Sequence, residues 1–317
     1  MLALHSDPKF LLMSRINSTL ATLLPFLPRW MARPFANPYV AGESTESALQ
    51  KVQLLNQRGY LATLDILGEH AHDQRWAMTI RDRYRNLLEQ IADQQLNCNI
   101  SLKLTHIGLD ISPDLALENT LSILQKAQET GNFLRLDMEN SHYTDQTIHI
   151  YQQGLKTAPQ IGLALQAYLS RTFEDVRRLL SPHFNCRICK GIYRESPSIA
   201  FQDKEEIRDN FLKLVQHILK REGFVAIATH DEFLIDTLET WLHQENIDLQ
   251  RLEFQVLYGV PMGNRLRQLL AHGFSVRVYI PFGADWFDYS LRRLKENPDI
   301  LGYIIKNLFK PSEHKYE

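Results

Sequence analysis

Eight short apolar runs recur between residue 60 and residue 283, and longer amphipathic stretches separate them. The runs lie at residues 60–69, 99–108, 133–140, 161–169, 185–193, 224–231, 252–260 and 275–283. Continuous apolar strands that alternate with helices are typical of parallel strand pairing, in which helices cover both faces of the sheet. Eight such units predict an α/β fold of the (β/α)8 barrel type.

The stretches between the runs have the character of helices. Residues 116–131 and 204–223 both end in glycine, which is frequent just past a helix C-terminus. An open doubly wound sheet is the rival fold, and it would carry a glycine-rich phosphate loop after its first strand. The first run is instead followed by EHAHDQRW, and the chain contains no GxGxxG, Walker A or HExxH motif. The barrel is therefore favoured, and we assign no metal ligands.

The composition agrees with a globular barrel that carries extensions. The chain has 317 residues, of which 44% are hydrophobic and 23% are charged, and its formal net charge is -2. That balance does not suggest a nucleic-acid partner. The three cysteines are too few for a disulfide framework, which indicates a reducing, intracellular protein. Cys186 and Cys189 form a CxxC, but in a strand they would point to opposite faces, so we favour a structural role.

The N-terminal segment does not follow the strand and helix rhythm. Residues 16–28 are apolar, but they contain two prolines, lie between Arg15 and Arg29, and are too few to span a bilayer. The start of the chain also lacks the basic region of a secretory signal. We interpret residues 1–48 as an N-terminal helical arm and residues 49–317 as the barrel. The arm either packs on the barrel or touches a membrane surface.

Polar side chains occur near the C-terminal ends of the predicted strands, where the active sites of such barrels lie. They are Asp65, Lys103, Asp137, Gln166, Arg187, Lys190, Thr229, His230, Gln255 and Tyr279. Each of them alone can be explained as a satisfied structural group. Packing by itself does not account for polar groups at nearly every strand end. We therefore expect these side chains to surround one cavity.

A polar stripe follows the last run. Tyr289, Arg292, Arg293 and Glu296 lie at i, i+3, i+4 and i+7, which is the spacing of one helix face. Two adjacent guanidiniums at the inner edge of a helix can hold one carboxylate through forked donors. A solvated arginine pair on a surface helix is the alternative, but it leaves the rest of the stripe unexplained. Together with the cations at the strand ends, the stripe predicts a cavity that binds an anion.

Nine motifs in chain order resemble the proline dehydrogenase family. They are TLDILGE, SLKLT, RLDME, LQAYL, CKGIY, ATHD, FQVLYGV, YIPFG and YSLRRLKENP. The resemblance extends from about residue 40 to residue 299, and the ordered set, closing with YxxRRxxE, is specific. It implies a distorted (β/α)8 barrel with FAD at the strand C-termini. Members of the family oxidise L-proline to Δ1-pyrroline-5-carboxylate and pass electrons to quinones. At this chain length the resemblance implies a monofunctional enzyme.

The resemblance implies a set of substrate-binding residues. Arg292 and Arg293 resemble the pair that holds the proline carboxylate, and Lys103 resembles a lysine that helps from the opposite side. Glu296 resembles the acid that fixes the two arginines. The residues that resemble the family's walls around the pyrrolidine ring are Tyr279, Tyr289 and Leu257.

The resemblance also implies catalytic and cofactor-binding residues. Arg187 resembles the cation near flavin N5, where a positive charge would stabilise the reduced ring. Asp137 resembles a barrel aspartate that orients Lys103 or a neighbouring tyrosine, and we take Asp137 and Arg187 as the catalytic candidates. Gln166 resembles the amide at the isoalloxazine edge. Further cofactor contacts are implied for Met138, Lys190, Gly191, Ile192, Thr229, His230 and Gln255.

Two residues depart from the family pattern, and two other functions stay open. Ile192 stands where alanine is usual, and Asp231 stands where asparagine is common. If Asp231 touches the adenosine part of the flavin, its charge needs a partner. A flavin-dependent oxidiser of hydroxyproline or another amine would use the same scaffold, although the bulk of Tyr279 opposes a 4-hydroxyl group. A barrel that binds an anionic ligand without redox chemistry is the other alternative. The expected location is the cytoplasm, either free or peripheral on the inner face of the membrane.

Overall fold

The computed structural model describes residues 39–290, except Glu222 and Asp288. In that range eight parallel strands close into a barrel in chain order, which confirms the (β/α)8 prediction. The strands are β1 (Leu61–Ile66), β2 (Cys98–Leu102), β3 (Leu134–Leu136), β4 (Ile161–Gln166), β5 (Asn185–Cys189), β6 (Phe224–Ala228), β7 (Leu252–Leu257) and β8 (Val276–Phe282). The described helices are α1 (Thr45–Gln57), α2 (Gln74–Asp93), α3 (Pro113–Glu129), α4 (Thr144–Thr157), α5 (Thr172–Leu179), α6 (Lys204–Leu219), α7 (Glu232–Gln244) and α8 (Arg265–Ala271).

The helices begin at residues suited to capping and bury one apolar face. Asp73 precedes α2, and its side chain accepts a hydrogen bond from the backbone N–H of Trp76 at 2.8 Å. Ser112 plays the same part for α3, which then starts with Pro113. Along α2 the buried residues recur every three or four positions and pack on the barrel wall. The main core therefore lies between the strands and the surrounding helices.

Successive side chains of each strand point alternately toward this core and into the barrel interior. On β2 and β3 the fully buried Ile100, Leu102 and Leu134 belong to the core under the helices. Their neighbours Ser101 and Arg135 point the other way, into the barrel. On β7 and β8 the register pairs Gln255 with Arg277 and Leu257 with Tyr279. The inward positions of several strands thus form a polar column that leads to the C-terminal mouth of the barrel.

The predicted runs extend beyond several strands at their C-terminal ends. β2 ends at Leu102, and a short 3-10 turn at Thr105–Ile107 follows it. β5 likewise ends at Cys189, before the rest of its run. The run at 99–108 continues because Leu104 and Ile107 are also buried, so apolar character alone does not mark where strand pairing stops. Of the two glycines that were expected to end helices, Gly131, with a φ of 64°, closely follows the end of α3 at Glu129. Gly223 lies further from its helix, because α6 already ends at Leu219.

Several predictions fall outside the described residues. The predictions concerned are those for most of the arm at 1–48 and those for Arg292, Arg293 and Glu296. Helix α1 begins at Thr45 and continues through residue 48, so the boundary between arm and barrel stays a prediction. Among the helices of the described ranges, none combines the length and the apolar character needed to cross a membrane. The three cysteines are free thiols, with Cys98 and Cys186 buried.

Candidate active site

A cavity of about 660 Å³ opens at the C-terminal ends of the strands, within the size range of ligand sites. Of the sequence-predicted residues that the structure describes, all but Asp65, which is buried and pairs with Lys103, contribute to its lining. They are Lys103, Asp137, Met138, Gln166, Arg187, Lys190, Gly191, Ile192, Thr229, His230, Gln255, Leu257, Tyr279 and Tyr289. The strand-end argument therefore identified residues that share one cavity, whereas their separate roles stay predictions.

Arg187 and Asp137 form a buried ion pair at the base of the cavity. Arg187 lies inside β5 and donates from Nη1 to Asp137 Oδ1 at 2.6 Å. Asp137 follows β3 directly, and it also accepts hydrogen bonds from Ser101 Oγ and, at 2.7 Å, from the Tyr279 hydroxyl. Burial favours the neutral acid, but Arg187 and Lys103 outweigh it and hold the pKa of Asp137 below its ordinary value. Asp137 is therefore ionised near neutral pH, where its lowered pKa makes it only a weak base.

The guanidinium of Arg187 is held on two of its three nitrogens. Its Nε donates to Gln255 Oε1 at 2.6 Å, and its Nη1 serves Asp137 and Ser101. Its Nη2 is buried and has no hydrogen-bond partner within the described part of the chain. A buried donor without a partner costs about 1–3 kcal/mol. Because Arg187 also lines the cavity, its positive charge would favour an anionic or electron-rich group bound there.

Lys103 occupies another side of the same cavity. Its Nζ lies 3.0 Å from Asp65 Oδ2, and Asp65 also accepts from the Tyr84 hydroxyl at 3.3 Å. Burial lowers the pKa of Lys103, but the carboxylates of Asp65 and Asp137 together outweigh burial and raise it above its ordinary value. Lys103 is therefore a permanent cation, suited to holding a carboxylate.

Aromatic side chains line a further part of the cavity. The Cζ atom of Arg187 lies 5.0 Å from the centre of the Tyr279 ring, which is within cation–π range. Burial and the nearby carboxylates of Asp137 and Asp65 raise the pKa of Tyr279 well above its ordinary value, so the hydroxyl stays protonated. Tyr289 packs with Val40, Leu67 and Trp286 in a separate small apolar cluster. Tyr289 thereby joins the cavity wall to the residues that precede α1.

The loop after β5 passes close to the backbone of its neighbours, and only glycine fits at one position. Gly191 has a φ of 114°, and a Cβ atom there would collide with the ring of Tyr168. The absence of a side chain leaves the backbone of this loop exposed to the cavity. Ile192 follows and is 50% exposed, so the larger side chain at this position projects from the loop without disturbing the core.

Asp231 receives two cations at the cavity rim. Lys190 Nζ donates to its Oδ2 at 2.7 Å, and Arg208 donates to both oxygens at 2.8 and 2.9 Å. Burial opposes ionisation, but Arg208 and Lys190 outweigh it and hold the pKa of Asp231 below its ordinary value. The charge of Asp231 is therefore balanced by Lys190, in the loop after β5, and by Arg208, on α6.

Hydrogen bonds fix the orientation of one amide and one imidazole group near the cavity. Gln166 ends β4, and its Nε2 donates to the main-chain oxygen of Glu139 at 2.9 Å. The Nε2 atom of His230 accepts the backbone N–H of Leu257 at 2.9 Å, so a neutral His230 ring carries its proton on Nδ1. Both side chains line the cavity, as does Thr229 before His230.

Sequence reasoning missed some residues of this site. Arg208 and Glu69 line the cavity, and Ser101 and Glu253 support it from inside the barrel. Arg208 lies one turn after Lys204 on α6, a spacing that cannot be told from an ordinary solvated helix face. Glu253 carried a usable signal, because an acidic residue two positions before Gln255 in an apolar strand must face the barrel interior.

The structure predicts a pH-dependent stability from His106. This residue is 2% exposed beneath Lys103, and burial, with Lys103 and Arg83 adding to it, lowers the pKa of its imidazole to about 3. The unfolded chain would bind a proton at about pH 6.5. The stabilising contribution is therefore present above that pH and is lost as pH falls toward 3. Between pH 6.5 and 5 we expect up to about 2 kcal/mol of lost unfolding free energy.

His106→Leu should reduce this dependence. Urea unfolding at pH 7 and at pH 5 measures the change, with His183→Leu at an exposed position as the matched control. An equal pH dependence in the parent and in His106→Leu would contradict the assignment.

Comparisons with known proteins point to one family. The model of the family described as Proline dehydrogenase matches residues 48–304. The chain is 37% identical over 289 residues to Proline dehydrogenase 1 of Bacillus subtilis (strain 168), covering 91% of this chain and 95% of that protein. It is 35% identical over 280 residues to the Proline dehydrogenase of Deinococcus radiodurans, covering 87% of this chain and 90% of that protein.

Solved structures resemble the fold. Proline utilization A from Bdellovibrio bacteriovorus, inactivated by N-propargylglycine, has a TM-score of 0.77 and 23% identity, covering 89% of this chain and 35% of that one. Proline utilization A from Corynebacterium freiburgense has a TM-score of 0.72 and 20% identity, covering 99% of this chain and 36% of that one. The chain thus spans about one third of the length of these two structures. At such identities the likeness shows the fold alone.

Proposed function

We propose, because this chain belongs to the proline dehydrogenase family, that it oxidises L-proline to Δ1-pyrroline-5-carboxylate with FAD and delivers the electrons to a quinone. The family makes the chain an oxidoreductase that acts on proline. The observation that carries the finer proposal is the Arg187 guanidinium, which lines a cation-rich cavity and whose buried Nη2 has no hydrogen-bond partner among the described residues. FAD, when bound, supplies the acceptor for the hydride that leaves C5 of proline.

The residues of this chain have complementary tasks in that reaction. Lys103 offers a permanent positive charge to the substrate carboxylate, and by resemblance Arg292 and Arg293 hold it from the other side. Asp137 holds Arg187 and Tyr279 in place. Because its lowered pKa makes Asp137 a weak base and Tyr279 stays protonated, we assign to neither the removal of the amine proton. Orientation and exclusion of water by these groups then provide most of the rate enhancement.

The cofactor would extend from the strand ends toward the rim. Arg187 and Gln166 would meet the isoalloxazine ring, and Lys190, Gly191 and Thr229 would meet the remaining part. Lys190 and Arg208 at the rim suit an anionic diphosphate. The proposal also includes a cytoplasmic location, with contact at the inner face of a membrane to reach the quinone. It divides the chain into an arm at 1–48 and a barrel at 49–317.

One experiment tests the proposal directly. Purified protein should show flavin absorption bands, and L-proline added without oxygen should bleach them. Mass spectrometry should then detect a product that is lighter than proline by two hydrogen atoms. A protein that binds no flavin would favour a non-redox anion-binding barrel, and bleaching by another amine but not by L-proline would favour a different amine oxidiser.

Tyr279 should set the preference for proline over its 4-hydroxylated analogue. Its ring lies under the Arg187 guanidinium and lines the cavity, and a 4-hydroxyl group would displace it or stay poorly paired. A buried unpaired hydroxyl costs about 1–3 kcal/mol, so we expect at least about a tenfold preference in kcat/KM for L-proline over trans-4-hydroxy-L-proline. Tyr279→Ser should narrow that ratio, mostly by weakening proline binding.

The matched control for the ring is Tyr279→Phe. It removes the hydrogen bond to Asp137 but keeps the ring, so the preference for L-proline should persist. Steady-state kinetics with both substrates decide the matter. Equal efficiencies in the parent, or a ratio that Tyr279→Ser leaves unaltered, would remove Tyr279 from the substrate wall.

A further inference from the structure

A column of hydrogen-bonded side chains supports Arg187 from inside the barrel. Arg187 Nε donates to Gln255 Oε1 at 2.6 Å, and Gln255 Nε2 donates to Glu253 Oε1 at 2.6 Å. The Glu253 carboxylate also accepts from Arg277 Nε, at 2.9 Å to each oxygen. Arg277 Nη1 donates in turn to the main-chain oxygen of Ala62 at 2.6 Å. The column thus leads from β1 through β8 and β7 to the guanidinium at the cavity.

The partners of Gln255 allow only one orientation of its amide. A guanidinium can only donate, so the amide oxygen must face Arg187. An ionised carboxylate can only accept, so the amide nitrogen must face Glu253. Burial opposes ionisation of Glu253, but Arg277 and the hydrogen bond from Gln255 outweigh it and keep its pKa below the ordinary value. The carboxylate therefore stays ionised and keeps the amide in this orientation.

We propose that Glu253 is a positioning residue that, through Gln255, fixes the Arg187 guanidinium at the reacting centre. Glu253 itself does not line the cavity, so it acts through its neighbours. The inference deepens the proposed function, on which it rests for the role of Arg187 beside the flavin. The competing explanation is that Glu253 only balances the buried charges of Arg277 and Arg135.

Glu253→Gln tests the orientation without any cofactor. This variant keeps the size of the side chain but introduces an amide nitrogen, and both Arg277 and Gln255 present donors to position 253. We expect a crystal structure of the variant to show the Gln255 amide turned and the contact between Arg187 Nε and Gln255 Oε1 lost. A contact that stays at its present length would overturn the proposal, whatever the fate of the proposed function.

Asp175→Asn is the matched control. Asp175 is a buried carboxylate on α5 that pairs with Arg171 and does not line the cavity. The same chemical change at this position should leave the contact between Arg187 and Gln255 intact, together with the flavin potential and turnover.

The midpoint potential of bound flavin separates positioning from simple charge balance. Loss of a negative charge alone favours the electron-rich reduced ring and raises the potential. Displacement of Arg187 removes a positive charge from the ring and lowers it. We expect Glu253→Gln to lower the potential and to reduce kcat about 10-fold, with the KM for proline within about twofold of the parent. A raised or unchanged potential would refute the positioning role and show that Glu253 only balances the neighbouring positive charges.

Exchanging the residues at positions 253 and 255 should restore the position of Arg187. In the double variant Glu253→Gln with Gln255→Glu, the new carboxylate can accept from Arg187, while the new amide donates to it and accepts from Arg277. Net charge is unchanged, so we expect the guanidinium to return to its place and most of the lost kcat to recover. If the single variant does not fold, the exchange variant carries the test alone. A folded exchange variant with a displaced Arg187 overturns the proposal.

Discussion

Replacing Arg187 with methionine should lower kcat/KM for L-proline by about 10²- to 10³-fold, which is the usual cost of losing one fixed donor at a reacting centre. The residue lines the cavity, its Nη2 has no hydrogen-bond partner within residues 39–290, and its positive charge would stabilise a reduced flavin. The midpoint potential of the flavin should therefore fall, or FAD should bind more weakly. Steady-state kinetics, a redox titration and a flavin titration measure these effects.

A stability effect must be separated from this catalytic one. Arg187→Met leaves the buried Asp137 without its cation, and breaking a buried pair costs about 3–5 kcal/mol of stability. Arg187→Lys keeps a positive charge but cannot reproduce the forked contacts to Gln255 and Asp137, so it should recover stability more than turnover. Arg171→Met, which breaks a paired arginine outside the cavity, is the control. Unchanged flavin affinity, potential and turnover in Arg187→Met would remove Arg187 from the site.

Replacing Arg292 or Arg293 with methionine should raise the KM for L-proline by about 30-fold or more while FAD stays bound. The expectation rests on the YxxRRxxE pattern and on the family to which the chain belongs, because both residues lie outside the described part of the structure. Losing one partner of a buried carboxylate typically costs about 2–5 kcal/mol, and every 1.4 kcal/mol is about tenfold in affinity.

The flavin spectrum provides the internal check for these two variants. A normal spectrum with a raised KM locates the damage at the substrate and not at the cofactor. Arg178→Met on the surface of α5 is the matched control, since Arg178 is 72% exposed and pairs only with Glu174 among the described residues. A near-normal KM in either Arg292→Met or Arg293→Met would refute the assignment of that residue to the carboxylate clamp.

The barrel could be predicted from the sequence because parallel strands buried on both faces leave a strong local signal. Eight apolar runs separated by helical stretches admit few other folds once a phosphate loop is absent. The same pattern located the site, since the C-terminal ends of all strands in a barrel meet at one mouth. Gln166, Arg187 and Tyr279 could therefore be expected to share a cavity, and the structure confirms that they line it.

The ends of elements were less predictable. The run at 185–193 contains both strand residues and the loop that carries Lys190 and Gly191. Apolar and β-branched residues continue past the point where pairing stops, because loop residues also pack on the core. A pattern of side-chain polarity records burial, and it does not record backbone hydrogen bonding.

The sequence by itself determined the barrel fold, the family and many of the residues at the mouth, because each of these depends on local pattern or on motifs in chain order. Only the tertiary structure decided how those residues pair. Asp231 meets Lys190 and Arg208, and Arg187 is held by Asp137 and by Gln255. These partners come from different strands and helices, and the register between neighbouring strands decides which side chains come within hydrogen-bond reach. Since register is a relation between distant segments, no stretch of the sequence contains it.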